Sequence, residues 1–133
     1  MRNENMIEPQ NPQCVQTSVS GSALLIGKAK TDFEEWFVKK EQQTIDTGKT
    51  IILLFFYALT ETMRNAEIIE WLDSVHLYIN TKPKTNHIDF FKWQFSIRNH
   101  KNTPYVFYSR KEAHFEAIIE ANAIYNARFI DSN

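Results

Sequence analysis

The 133-residue chain is poor in the residues that mark β-rich and disulfide-linked proteins. It has three glycines and four prolines, too few for the many tight turns of an all-β fold. Its single cysteine, Cys14, excludes an internal disulfide and gives no indication of an oxidising compartment. The longest apolar run, residues 51–59, is far shorter than the roughly 20 residues that a membrane-spanning helix needs. We therefore expect a soluble protein with no membrane partner.

The first 20 residues are rich in Asn, Gln, Ser and Pro and contain no apolar stretch of the kind found in signal peptides. This composition predicts a disordered tail over residues 1–20, a single domain over residues 21–133 and a cytoplasmic location. With 43% hydrophobic and 14% aromatic residues, the domain can bury a substantial core.

Three helices are predicted in the first half of the chain. Residues 22–43 place apolar side chains on one helical face, at Ile26, Ala29, Phe33, Trp36 and Phe37. Residues 51–59 are continuously apolar, a pattern that fits a buried strand or a buried helix. We favour the helix because β-branched residues occur only at its start. Thr60 can cap a further helix over residues 61–74.

Three strands should follow. Residues 75–80 alternate apolar and polar side chains, and residues 88–98 do so more clearly, with Phe91, Trp93, Phe95 and Ile97 on one side. A loop containing Pro83 separates these two strands, and residues 105–108 are predicted to form a third strand. Because the connections are short, the sequence predicts an antiparallel meander.

The last helix is the most clearly marked element. Ser109 and Glu112 form a capping box that predicts a helix over residues 109–129. Its apolar side chains cover about two-thirds of its circumference, which is more than a sheet alone can bury. We expect the N-terminal helices to cover the remainder, a second subunit or partner being the alternative. The predicted fold class is α+β, with N-terminal helices, a three-stranded antiparallel sheet and a C-terminal helix.

Charge is unevenly distributed along the chain. Residues 31–74 carry nine acids and four bases, a net charge of −5, whereas residues 75–111 carry seven bases and one acid, a net charge of +6. Arg110 and Lys111 lie in the first turn of the last helix, where the helix dipole favours anions. Together with His114 they form a candidate site for a phosphate or for a partner's carboxylate. The alternative is an ordinary solvated surface.

The predicted sheet offers a second candidate surface. Aromatic and basic residues alternate on or beside its outer face, namely Tyr78, Phe90, Lys92, Arg98 and Lys101. Such a surface suits nucleic acid, through base stacking and phosphate contacts, and equally suits a protein interface. A third possibility is a solvated face whose aromatic residues are covered by residues 51–59.

The sequence offers no recognisable catalytic or metal-binding motif. Gly48, Lys49 and Thr50 suggest a phosphate-binding loop, but that motif requires a glycine where Gln43 stands. The four histidines are widely spaced, with no accompanying cysteine or acidic cluster of the kind that binds zinc. We therefore expect no enzymatic activity, no cofactor and no metal.

Several short stretches resemble uncharacterised accessory proteins of Bacteroidetes phages and prophages. These are residues 29–37, residues 55–79 and the last helix from Ser109 to Asn126. The resemblance implies a phage accessory protein inside a bacterial host cell. Small phage proteins of this kind often bind and block a host defence protein, as anti-CRISPR proteins do.

A second resemblance is to double-stranded-RNA-binding domains. Residues 61–129 follow their α-β-β-β-α order, and residues 109–114 are similar to the basic start of their second helix. The resemblance implies phosphate contacts by Arg110, Lys111 and His114. The glycine-containing turn that precedes that helix in the family is missing from this chain.

The leading prediction is therefore a small non-enzymatic protein that binds a host protein stoichiometrically, with a homodimer also possible. The alternative is a nucleic-acid-binding module that uses the basic half of the chain.

Overall fold

The computed structural model describes residues 25–84, 92–100 and 106–130. These residues form four helices and two strands: α1 (Gly27–Gln42), α2 (Lys49–Ala58), α3 (Glu61–Ser74), β1 (Ile79–Pro83), β2 (Trp93–Ile97) and α4 (Arg110–Ala127). The α+β class is confirmed, and residues 51–58 are helical as expected. The predicted tail, Cys14 and parts of the predicted strands lie outside the described residues.

Aromatic side chains join all four helices in one core. The ring of Phe33 on α1 lies 5.0 Å from that of Phe56 on α2 and 5.9 Å from that of Trp71 on α3, measured between centroids. Trp71 in turn contacts Tyr125 on α4 edge-on at 4.9 Å. Edge-on and tilted contacts of this kind add to the free energy of simple burial. The high aromatic content of the chain is therefore largely explained by the core.

The last helix caps the first. The residue before α1 is Ile26, whose side chain cannot accept the hydrogen bonds of a helix start. Asn126 instead accepts from the backbone N–H of Ala29 at 2.8 Å and donates to the carbonyl of Ile26 at 3.0 Å. Asn122 accepts from the N–H of Ile26 at 2.9 Å. Gly27 suits this junction, since it has φ +66° and a Cβ there would lie 3.0 Å from Asn126.

Helix α3 has both its ends defined by hydrogen bonds. The Thr60 hydroxyl accepts from the N–H of Met63 at 3.3 Å, as predicted. At the other end, His76 adopts φ 67°. The N–H of His76 donates a hydrogen bond to the carbonyl of Asp73, and the N–H of Leu77 donates one to the carbonyl of Leu72. This is the Schellman arrangement, and Leu72 and Leu77, the positions at which an apolar pair often accompanies it, are both fully buried.

Among the described residues, the strands differ from the prediction in position and number. Since His76 and Leu77 close α3, β1 begins at Ile79 rather than at residue 75, and it extends through Pro83, which was predicted to lie in a loop. It pairs antiparallel with β2, with Ile79 opposite Ile97 and Pro83 opposite Trp93.

The third predicted strand is reduced, among the described residues, to a single bridge. The N–H and carbonyl groups of Phe107 and Trp93 exchange two hydrogen bonds, at 2.7 and 2.8 Å. Two residues later Ser109 already caps α4, which leaves little chain to continue the pairing. Tyr105, the predicted start of this strand, lies outside the described residues.

Helix α4 lies at the centre of the packing. It contacts both strands as well as α1 and α3, so the predicted cover by the N-terminal helices is confirmed. Ala113, Ala117 and Ala121 are completely buried in these contacts. Ser109 accepts from the N–H of Glu112, as the capping box predicts. The described part of the chain contains no helix that is both long and apolar enough to cross a bilayer.

Candidate functional site

A groove of about 460 Å³ runs between α3 and the first turns of α4. Residues at helical spacing on α3 form one side, namely Thr62, Asn65, Ala66 and Ile69. The other side consists of Arg110, Lys111 and His114. The three residues that the sequence proposed as one anion site therefore do lie together, on the rim of a concave surface.

Arg110 is held in place by an aromatic face. Its guanidinium carbon lies 5.6 Å from the ring centroid of Trp93 on β2. A planar guanidinium over an indole gains from both electrostatic attraction and stacking. The sheet thus positions a cation at the positive end of α4, where helices usually carry acidic residues.

Lys111 is paired with an acid at the start of α3. Its ammonium nitrogen lies 3.1 Å from a carboxylate oxygen of Glu61, the first residue of α3. Lys111 is more than half exposed, so this ion pair contributes little to stability. It does, however, connect the first turn of α3 to the first turn of α4.

His114 is partly buried and hydrogen-bonded to the sheet. Its Nε2 lies 2.9 Å from the hydroxyl oxygen of Thr81 on β1. Burial, together with the nearby charge of Arg110, lowers the pKa of His114 below its ordinary value. The imidazole is consequently neutral at neutral pH and offers a hydrogen-bonding edge rather than a charge.

The predicted sheet surface forms two separate cation–aromatic pairs. The guanidinium of Arg98 lies 4.7 Å from the ring centroid of Tyr78, and the Lys92 ammonium lies 5.8 Å from that of Tyr108. Phe90 and Lys101, the other two residues predicted for this surface, lie outside the described residues. In the part of the chain that the structure describes, helix α2 packs chiefly against α1 and the two strands are not among its main contacts, contrary to the suggested cover.

The sequence interpretation missed two features. Asn65 is 3% exposed, and its side-chain oxygen has no hydrogen-bond partner among the described residues. The spacing of Thr62, Asn65 and Ile69 on one helical face was the only indication in the sequence that Asn65 belongs to this surface.

The second missed feature is the exposure of α2. The continuously apolar helix was expected to be buried throughout, yet only its residues Ile52 and Phe56 are buried.

No group of three or more possible metal ligands occurs among the described residues. No protein-family model, curated protein or solved structure matches this chain.

Proposed function

We propose that this protein acts by binding another protein through the exposed face of α2. The observation that carries the proposal is the exposure of Ile51 (47%), Leu54 (64%) and Phe55 (61%) on a helix whose other side packs on α1. These three residues have the i, i+3, i+4 spacing of anchors that enter a partner's groove. Contiguous exposed apolar residues of this kind mark interaction sites.

The partner surface that fits α2 best is an apolar groove on a different protein. Residues 50–60 contain no charged side chain, so the stripe has no ion pairs to offer. Three side chains present a patch of a few hundred Å², whereas a stable symmetric dimer usually buries about 800 Å² per subunit. A short helix inserted into a groove needs less area, because a few fully desolvated anchors can supply most of the binding free energy.

The biological setting of the proposal comes from the resemblance to phage accessory proteins. That resemblance makes a host defence protein the candidate partner, bound and blocked stoichiometrically as in anti-CRISPR inhibition. Such an activity needs a complementary surface and no catalytic group.

Nucleic-acid binding is the competing function. Three of the basic residues that it would use make contacts within the chain: Lys111 with Glu61, Arg110 with Trp93, and Arg98 with Tyr78. Phosphate binding would have to compete with the ion pair. These contacts make the α2 face the stronger candidate surface.

The test uses two matched substitutions. Ile51→Glu lies in the stripe, while Ile119→Glu introduces the same charge at a similarly exposed isoleucine (41%) on α4. A partner captured from host lysate would be purified and mixed with each variant, and the complex measured by calorimetry. We expect a one-to-one complex with wild type and with Ile119→Glu, and at least a hundredfold weaker binding with Ile51→Glu.

Three outcomes would overturn the proposal. One is a complex that Ile51→Glu leaves unchanged. Another is a wild-type dimer in sedimentation equilibrium that Ile51→Glu dissociates, which would make a second copy the occupant of the stripe. The third is salt-dependent binding of duplex RNA that double substitution of Arg110 and Lys111 by alanine weakens, which would establish the nucleic-acid function instead.

A further inference from the structure

The hydrogen bonds between β1 and β2 show which edge of β1 is left unpaired. The N–H of Arg98 donates to the carbonyl of Tyr78 at 3.0 Å, just before β1 begins. The N–H of Lys84 donates to the carbonyl of Lys92 at 2.8 Å, just after β1 ends. In an antiparallel pair only every second residue bonds the partner strand. The even-numbered residues of β1 therefore bond β2, and its odd-numbered residues direct their N–H and carbonyl groups away from it.

The outer edge of β1 consists of Ile79, Thr81 and Pro83. Within the part of the chain that the structure describes, the N–H groups of Ile79 and Thr81 and the carbonyls of all three residues make no hydrogen bond. Pro83 has no N–H to leave unpaired, which is why a proline is tolerated at an edge. Every residue of β1 is at least partly exposed to solvent. Another strand can therefore approach this edge.

An unpaired edge of this kind can bind an extended peptide as an additional strand. Main-chain hydrogen bonds then supply the affinity, while the alternating side chains of the peptide contact the two faces of the sheet and supply the specificity. The chemistry of the two faces of β1 consequently determines which peptide fits.

The outer face of the sheet is positively charged. Residues 75–88 and 90–111 contain seven basic residues and no acidic one. Lys82 is exposed on the outer face of β1, and Arg98 lies on the same face, over the ring of Tyr78. A second copy of the chain would bring like charges together at this edge, whereas acidic side chains on a neighbouring strand would attract them. The charge therefore favours an acidic peptide over a second copy.

The inner face of the edge leads to an apolar groove. The hydroxyl oxygen of Thr81 lies 2.9 Å from Nε2 of His114. His114 also lines the groove between α3 and α4, together with Ala66 and Ile69. Inward-directed side chains of an added strand would point to the face of the sheet on which this groove lies. The peptide that fits best consequently alternates acidic and apolar residues.

We propose that the outer edge of β1 binds an extended acidic peptide segment of another protein as an additional strand. The backbone of the peptide bonds Ile79 and Thr81, its acidic side chains face Lys82, and its apolar side chains lie on the inner face. This edge includes no residue of α2, so the interaction is independent of protein binding through the exposed face of that helix.

Hydrogen exchange of the free protein provides the first test. The N–H groups of Ile79 and Thr81 should exchange at least tenfold faster than those of Asn80 and Lys82, because only the latter two are bonded to β2. Equal rates at the four positions would overturn the assignment of a free edge.

The second test titrates the full chain with three blocked synthetic peptides, followed by fluorescence anisotropy. The first peptide alternates glutamate and valine, and the second has lysine in place of glutamate. The third is the first with its backbone nitrogens methylated, so it keeps the charge but cannot donate hydrogen bonds to the edge. The first should bind at least tenfold more tightly than either of the others. It should also slow exchange at Ile79 and Thr81 at least tenfold.

Two pairs of substitutions localise the binding. Thr81→Pro removes an outward N–H and should weaken binding of the glutamate peptide at least tenfold. Thr81→Val also loses the contact with His114 but keeps the N–H, and it should bind as wild type does. Should Thr81→Pro not fold, Lys82→Glu reverses the charge beside the edge and should weaken binding at least tenfold. Lys30→Glu makes the same change at an exposed position on α1 and should leave binding unchanged.

Several results would overturn the proposal. One is no binding of the glutamate peptide at roughly 1 mM. Another is equal binding of the methylated peptide, or binding that leaves exchange at Ile79 and Thr81 unchanged, since either would reduce the effect to surface charge. A wild-type dimer in sedimentation equilibrium that Thr81→Pro dissociates would assign the edge to a second copy instead. Ile51→Glu should leave peptide binding unchanged, so failure at this edge and failure of the α2 surface are distinguishable.

Discussion

The hydroxyl of Tyr125 on α4 donates a hydrogen bond to the carboxylate of Asp32 on α1, with 2.5 Å between the two oxygens. Asp32 lies 93 residues earlier in the chain. The ammonium nitrogen of Lys28 lies 3.2 Å from the same carboxylate oxygen. Burial and the Asp32 charge raise the pKa of Tyr125 to about 12, so the phenol remains a donor over the whole physiological range. This bond connects the first and last helices at the edge of the aromatic core.

Tyr125→Phe should lower the free energy of unfolding by about 1–2 kcal/mol, because it removes a charge-assisted hydrogen bond from a largely buried position. Urea denaturation followed by circular dichroism would measure the change. Tyr57→Phe is the matched control, since its hydroxyl donates to Glu34 at 2.7 Å from a more exposed position. The control should lose less than half as much, and equal losses would contradict the importance of burial.

His76→Gly should stabilise the protein by about 0.5–1 kcal/mol. His76 has φ 67°, a conformation that is costly for a side chain bearing a Cβ and cost-free for glycine. The gain is reduced by loss of the 3.1 Å contact between the imidazole and the Tyr78 hydroxyl. His76→Ala loses the same contact without relieving the backbone, so its thermal midpoint should fall below that of wild type. A glycine variant no more stable than the alanine variant would refute the assignment of strain.

Asn126→Ala should cost about 1–2 kcal/mol, because it removes one hydrogen bond to the start of α1 and another to the carbonyl of Ile26. Asn126→Asp retains the acceptor and places a negative charge at a helix start, so it should cost less. Hydrogen exchange at Ala29 provides a local measurement. Its protection should fall in the alanine variant and be largely kept in the aspartate variant.

Glu116→Gln should raise the thermal midpoint at pH 7. One carboxylate oxygen of Glu116 is buried without a hydrogen-bond partner among the described residues. Burial and the nearby Glu112 raise the pKa of Glu116. A folded-state pKa above the unfolded value means that the folded protein gains relative stability as the pH falls through that range. The advantage of the glutamine variant should therefore shrink between pH 7 and pH 4, and a constant difference would count against the burial of this carboxylate.

Features determined by neighbouring residues were predictable from the sequence. The capping residues Thr60 and Ser109 were recognised because their partners lie three residues away. The alternation of apolar and polar side chains that buries Phe95 and Ile97 was predicted correctly for the same reason. The start of β1 was misplaced because α3 ends on His76 rather than on the glycine that usually marks such an end.

Features determined by distant residues were not predictable. Nothing in the sequence around Ile26 indicates that Asn122 and Asn126 cap the helix that follows it. Similarly, an apolar run does not reveal how much of its surface will find a partner within the chain. Only the arrangement of α2 on α1 shows that Leu54 and Phe55 remain outside the core.

The capping of α1 by Asn126 also has a consequence for synthesis on the ribosome. Translation proceeds from the N-terminus, so α1 is made before the other helices, and its capping partner Asn126 follows it by 97 to 100 residues. Until then its exposed aromatic face is available to other chains and to chaperones. Contacts that span so much of the sequence slow folding, because a long loop must close before they form. The domain is therefore expected to complete its folding only after Asn122 and Asn126 have left the ribosome, and not progressively as α1, α2 and α3 are made.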